Sequence, residues 1–191
     1  MPSEPQAPSG AQEQARLIAR AKQGDEAAIS QLYRRYSPGI YGYLACRVGD
    51  AALAQDLTSE VFLRALEGLP QFKDRGIPFS AWLYRIAHDR MVDHFRRQAR
   101  RPTTPLHEAH LPATAGIDQV VETRLRMAQL GKAMQELTDE QHQVILLRFV
   151  AGFKLREVAY VMDKSTAAIK MLQLRALTRL RQMIPHADPR K

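Results

Sequence analysis

The chain has 191 residues, 45% of them apolar, and its 28 Lys and Arg outnumber 20 Asp and Glu to give a formal net charge of +8. That size suits one or two compact domains, and the surplus of cations fits a polyanionic partner, because counterions released from a phosphate backbone favour binding of basic proteins. A single cysteine, Cys46, excludes a disulfide framework or a cysteine zinc site within the chain, and without an apolar run of membrane-spanning length or a hydrophobic signal core the expectation is a cytoplasmic protein with no membrane contact.

Residues 1–10 hold three prolines and little that could pack, and read as a disordered tail. Residues 11–101 read as helix after helix. Asp25 is a candidate N-cap for a helix carrying Ile29, Leu32 and Tyr33. Ser37-Pro38 is expected to interrupt or restart that helix, since proline suits a first helical position. Cys46 reads as a small core residue near Leu44 and Val48. Asp50 predicts the cap of the next helix, through Leu53, Leu57, Val61 and Ala65. A loop from Gly68 to Phe79 then leads to Ser80, the expected cap of a helix reaching Arg97.

From Arg101 the composition changes: Pro102, Pro105, Pro112 and Gly116 leave few side chains able to build a core. Residues 102–119 therefore read as a linker, able to stretch to roughly 60 Å at about 3.3 Å per residue. His107 and His110 form an HxxH within this proline-rich tract, where solvated side chains fit better than metal ligands. Helical periodicity resumes near Val120 and runs to Met183, giving a second domain over 120–185 and a short tail over 186–191. No alternating strand pattern occurs. The predicted fold class is all-α: two small helical domains on a flexible linker.

Within the second domain, Gln141 to Ile184 reads as helix, glycine break, short helix, tight turn and long basic helix, the pattern of a helix-turn-helix. Val158, Ala159 and Met162 give the short helix an inward face, and Ser165 can cap the long one. Ile169, Leu172, Ala176, Leu180 and Met183 recur at spacings of three and four, one packed stripe. Lys170, Leu174 and Arg181 fall opposite, beside Ala167, Met171 and Thr178, and a mixed cationic front of this kind can sit in a major groove.

The first domain carries two further signals. Asp56 and Glu60 are neighbours on one helical face, with Arg64 a turn on and able to relieve Glu60. An ordinary solvated face accounts for this pattern; an acidic-apolar docking surface for a basic protein is the alternative. Phe79, Trp82 and Tyr84 interleave with Lys73, Arg75 and Arg85, and Arg90, Arg96, Arg97, Arg100 and Arg101 extend the positive run. Trp82, Leu83, Ile86 and Phe95 suit a core. The loop bearing Lys73, Asp74 and Arg75 before a cationic helix instead suits single-stranded nucleic acid, with bases stacked or extruded into a pocket. Paired carboxylates with a basic partner, a metal-ligand cluster and a phosphate-cradling glycine loop are all missing from the sequence, so no enzyme, cofactor or metal site is expected.

Four segments in this order, DLTSEVFLRAL (Asp56 to Leu66), the F-x(6)-F-x-x-WLYRIAH block (Phe72 to His88), DHFRR (Asp93 to Arg97) and the LLRFVAGF to RAL stretch (Leu146 to Leu177), resemble the sigma factors of bacterial RNA polymerase in their small extracytoplasmic-function (ECF) subfamily. The resemblance spans about Ala15 to Ile184. It implies that Asp56, Leu57, Glu60 and Phe62 dock on the clamp helices of the polymerase largest subunit. Lys73, Asp74, Arg75 and Gly76 would form the loop that holds a flipped non-template base of the minus-ten element, with Trp82 and Ile86 as its packed base. Arg85, Arg96 and Arg97 would contact phosphates. The helix starting near Ser165 and Thr166 would read the minus-thirty-five element as duplex through Lys170, Met171, Leu174 and Arg175. The linker would thread towards the RNA exit channel, the second domain would meet the polymerase flap, and an anti-sigma factor would be a further partner.

The chain departs from the family pattern in places. Asp89 stands where Asn is usual, and an internal pair with Arg85, a turn earlier, is its alternative role. Lys154 replaces a common capping Ser or Thr, predicting a less firm start to the short helix. Met171 and Leu174 replace polar or aromatic residues on the groove face, where apolar side chains can touch thymine methyls but cannot pair with guanine. The reading is a sigma factor that directs polymerase core to promoters and promotes DNA opening; a stand-alone helix-turn-helix regulator is the alternative.

Overall fold

The computed structural model describes residues 10–74, 76–99 and 130–184, and every regular element among them is helical. Helix α1 spans Gly10–Lys22, α2 Glu26–Val48 and α3 Ala51–Gly68, followed by a 3-10 turn over Leu69–Gln71; α4 spans Phe79–Ala99. Residues 130–135 are helical, α5 spans Asp139–Ile145 and runs into a π-helical turn over Leu146–Val150, and α6 (Leu155–Val161) and α7 (Thr166–Met183) form the helix-turn-helix pair. The expected linker and tails, Arg75, and the HxxH of His107 and His110 lie outside the described residues.

Local chemistry starts these helices. The Asp25 carboxylate accepts the Ala28 N–H at 3.1 Å, and Asp50 accepts that of Leu53 at 2.9 Å. Thr138 and Gln141 form a reciprocal capping box, and Ser165 accepts from Ala168 at 3.1 Å. Each such cap contributes about 1 kcal/mol. Gly152 (φ 74°) supplies the left-handed break before α6.

Two expected helix boundaries differ. α2 runs through Pro38 without interruption. An internal proline costs about 3 kcal/mol in an isolated helix, but Ile40, Tyr43 and Leu44 just beyond it are buried, and each contributes roughly 1.5–3 kcal/mol when removed from water. Ser80 does not cap α4, because the helix begins one residue earlier at Phe79. Phe79 is buried with its ring 5.3 Å from those of both Phe72 and Trp82, so this aromatic cluster sets where the helix starts.

The interior is the larger surprise. One continuous cluster of buried side chains runs from Leu17 through Leu44, Leu57, Leu83 and Met91 to Leu147, Val158 and Ile169. A smaller cluster of Ala133, Leu137, Ile145, Ala176 and Leu180 seals α7 against α5. The two all-helical regions are present as expected, and α4 packs directly on α6, so that the regions also share apolar surface. Among the described residues no helix is long and apolar enough to cross a membrane, and no metal-binding cluster occurs.

Candidate nucleic-acid interface

On α3, Asp56 and Glu60 are exposed side by side, while Leu57 is buried in the core. Arg64 pairs with Glu67 at 3.0 Å rather than with Glu60, so the acidic pair is not relieved from within the helix as expected. Phe62 is half-buried, its ring edge-on to Tyr33 at 4.7 Å. Exposed Leu63 and Leu66 complete an acidic-apolar face.

The loop before α4 is shaped by Gly76 (φ 78°), whose N–H is accepted by the Asp74 carboxylate at 3.1 Å. Lys73 and Asp74 are exposed. The Phe72, Phe79 and Trp82 rings meet at 5.0–5.3 Å beneath the loop, and Lys22 Nζ donates to the Phe72 carbonyl. Trp82, within this ring cluster, and Ile86 are half-buried against the core. Further along α4, Arg96 and Arg97 are exposed and Arg90 pairs with Asp93 at 2.9 Å.

Arg85 does not pair with Asp89. Its Nη1 donates to the Tyr160 carbonyl at 2.9 Å, its Nη2 pairs with Asp163 at 3.1 Å, and its guanidinium lies 4.9 Å from the centre of the Tyr160 ring. Both partner residues, Tyr160 and Asp163, belong to the second region. The turn after α6 puts Asp163 at φ 52° and so within reach of Arg85, a geometry that i,i+4 spacing on α4 could not foresee. Partial desolvation holds the Asp89 carboxyl above its ordinary pKa, with Arg85 opposing the shift.

This contact belongs to a longer polar seam. Arg47 reaches Asp139 and His142 Nδ1, each at 3.2 Å. Gln143 Nε2 donates to Tyr43 Oη at 2.6 Å and to His88 Nδ1. Arg156 Nη2 donates to the Gly76 carbonyl at 2.8 Å, and Tyr84 meets Phe153 edge-on at 4.9 Å. Burial and the neighbouring Arg47 push both His88 and His142 down to about 4, while burial carries Tyr43 above the usual phenol range and Tyr84 up to about 12.

The opposite end is built differently. The stripe of α7 is turned inward, with Ile169, Ala176 and Leu180 buried and Leu172 and Met183 half-buried. Ser165, Thr166, Lys170, Met171, Leu174 and Arg175 are all exposed. The α6 start is firmer than Lys154 implied, because the buried Glu157 carboxylate accepts the Lys154 backbone N–H at 2.8 Å.

Sequence reading missed the seam residues and the exposed pair Phe149 and Val150. Adjacency gave no signal for the pair, because the apolar run just before it, Val144 to Leu147, is buried throughout.

Residues 32–101 match the family model of Sigma-70 region 2, and residues 133–182 that of Sigma-70 region 4. The chain is 38% identical over 184 residues to the ECF RNA polymerase sigma factor BldN of Streptomyces coelicolor, covering 95% of this chain and 69% of BldN. It is 31% identical over 176 residues to the ECF RNA polymerase sigma factor SigD of Mycobacterium tuberculosis, covering 88% and 82% respectively. Among solved structures it is similar to CnrH in complex with the cytosolic domain of CnrY, at a TM-score of 0.61 and 26% identity over 86% of this chain and 92% of that one.

Proposed function

The chain belongs to the ECF branch of the bacterial RNA polymerase sigma factors, and we propose a division of labour among its surfaces. It directs RNA polymerase core to promoters and promotes DNA opening. The observation that carries this is the pair of matches to regions 2 and 4 in one chain. A stand-alone regulator has no need of the first of them. The protein works in the cytoplasm and supplies sequence preference to an enzyme, with no catalysis, cofactor or metal of its own.

Residues 11–101 form the polymerase-docking and minus-ten unit, 102–119 the linker, and 120–185 the minus-thirty-five reader. Asp56, Glu60 and Phe62 dock on the clamp helices while Leu57 holds their helix in register; the exposed acids beside an apolar strip support this, since a basic partner helix matches both features. Lys73, Asp74, Arg75 and Gly76 hold an extruded non-template base, and Arg85, Arg96 and Arg97 meet the strand's phosphates. The left-handed glycine over an aromatic base supports that assignment. Capture costs a few kcal/mol per unstacked base, so several cations must act together.

Ser165, Thr166, Lys170, Met171, Leu174 and Arg175 read duplex DNA. The exposed Met171 and Leu174 favour an element recognised partly through thymine methyls. Phe149 and Val150 offer the apolar surface that a contact with the polymerase flap requires. An anti-sigma factor would act by covering the α3 face. Start-site mapping with core polymerase tests the assignment: wild-type protein selects defined promoters, and Asp56→Ala/Glu60→Ala reduces co-purification with core by tenfold or more, on the order of 1.4 kcal/mol. Unchanged co-purification would overturn the docking assignment.

A further inference from the structure

We infer that the packing of α6 and the following turn onto α4 is an off state, in which the second region caps the strand-capturing face of the first while leaving its own duplex-reading face open. The inference rests on the assignment of Arg85 and the Gly76 loop to the single strand. Tyr160 and Asp163 each take an N–H of the Arg85 fork, and the Asp163 carboxylate sits where it would repel a phosphate, so strand binding at Arg85 competes with this engagement. A base pocket at the loop needs Gly76 free, and Arg156 pins its carbonyl at 2.8 Å. Neither tie engages Lys170, Met171, Leu174 or Arg175, which stay in solvent on α7. In this state the chain can grip a duplex and cannot grip a separated strand.

The polar rim of the seam yields more readily than the apolar core beneath it: Asp139 and Asp163 have side chains 91% and 82% exposed, so water readily replaces them. Arg47 Nε is buried with no hydrogen-bond partner, a standing cost carried by the residue that meets Asp139 and His142. Asp163 sits in the left-handed region, the only non-glycine to do so among the described residues, and that turn is what presents its carboxylate to Arg85. Only the open fraction can take up a strand, so apparent affinity falls by that fraction.

The test uses the full-length chain with Cys46→Ser, labelled for single-molecule energy transfer at Ser30→Cys and Gln182→Cys, both exposed positions. A fluorescent pool of random-sequence single-stranded oligodeoxynucleotides is the binding probe. The free wild-type chain should show a predominant high-transfer population that the pool depletes. Arg156→Ala should shift molecules to low transfer and bind the pool about threefold or more tighter, although simple electrostatics predicts weaker binding on losing a cation. Asp163→Asn, which keeps the left-handed turn, should act in the same direction. A free chain found only in the low-transfer state, or variants that open with no gain in strand affinity, would overturn the inference. Arg85→Ala in the complex with core polymerase separates the two levels. Impaired promoter opening there leaves the strand assignment standing even if the off state fails, whereas normal opening removes the assignment itself.

Discussion

Helices α4 and α7 both carry cations on one side and a packed stripe on the other, yet they are held in opposite ways. On α4, Arg85 is bound by the Tyr160 carbonyl and Asp163 of the other region, whereas on α7 the residues Lys170, Met171, Leu174 and Arg175 all stand in solvent. Composition does not explain the difference, since both helices are basic. What separates them is the partner surface: α4 buries Leu83, Ala87 and Met91 in the shared core and must bring Arg85 to the seam, while α7 packs at the far edge and leaves its front uncovered. A chain of this kind can have one cationic face presented and the other engaged, even though both are coded by similar residues.

The largest expected effect comes from removing the material that joins the two ends. Leu147 is fully buried in the core shared by both regions. Leu147→Ala should lower stability by about 2–5 kcal/mol and do so in a single cooperative transition, followed by chemical denaturation with probes in each region. Two independent transitions, only one of them moved, would mean that the ends do not share an interior.

Acid should sharpen the contrast by loosening the engaged end alone. His88 faces Arg47 from α2, Arg85 from its own helix, and Lys164 and Asp163 from the turn after α6; His142 faces Arg47 and Asp139. Gln143 donates to His88 Nδ1 and Arg47 meets His142 Nδ1, so both rings accept there and are neutral when closed. Their pKa values are about 4 closed against 6.5 for a free imidazole. Below pH 6.5 the open form therefore takes up protons that the closed form refuses. Closure is fully favoured above about 6.5 and weakens as pH falls towards 4, by up to about 1.4 kcal/mol per histidine per pH unit. Energy transfer between the two regions, read from pH 7.5 to 5, should fall over that window, and a flat profile would contradict it.

The smallest effect belongs to the uncovered end. Leu174→Ala should shift selectivity within a randomised minus-thirty-five library by a few-fold, about 1 kcal/mol or less per lost thymine contact, leaving strand capture untouched. If selectivity does not change, the apolar reading of this helix fails.

Much of this was legible locally. Asp25, Asp50 and Ser165 cap helices as their spacing predicts, because a cap involves residues only three apart. The inward stripe of α7 was equally plain, since periodicity is a property of one helix. Ser80 misled because the burial of Phe79 against Phe72 and Trp82 outweighs a hydroxyl cap, and Pro38 because burial on both sides holds the helix through it. Arg85 shows where such reading stops. Asp89 was its nearest acid in the chain, but its partner is Asp163, brought close by a positive-φ turn and a shared core that no local pattern encodes.

Permanganate probing of a single promoter bound by core polymerase with this protein tests the division of labour most directly. Compared with wild type, Arg85→Ala should lose reactivity of the unpaired minus-ten thymines while the minus-thirty-five footprint persists. Loss of both signals together, or of neither, would contradict the account.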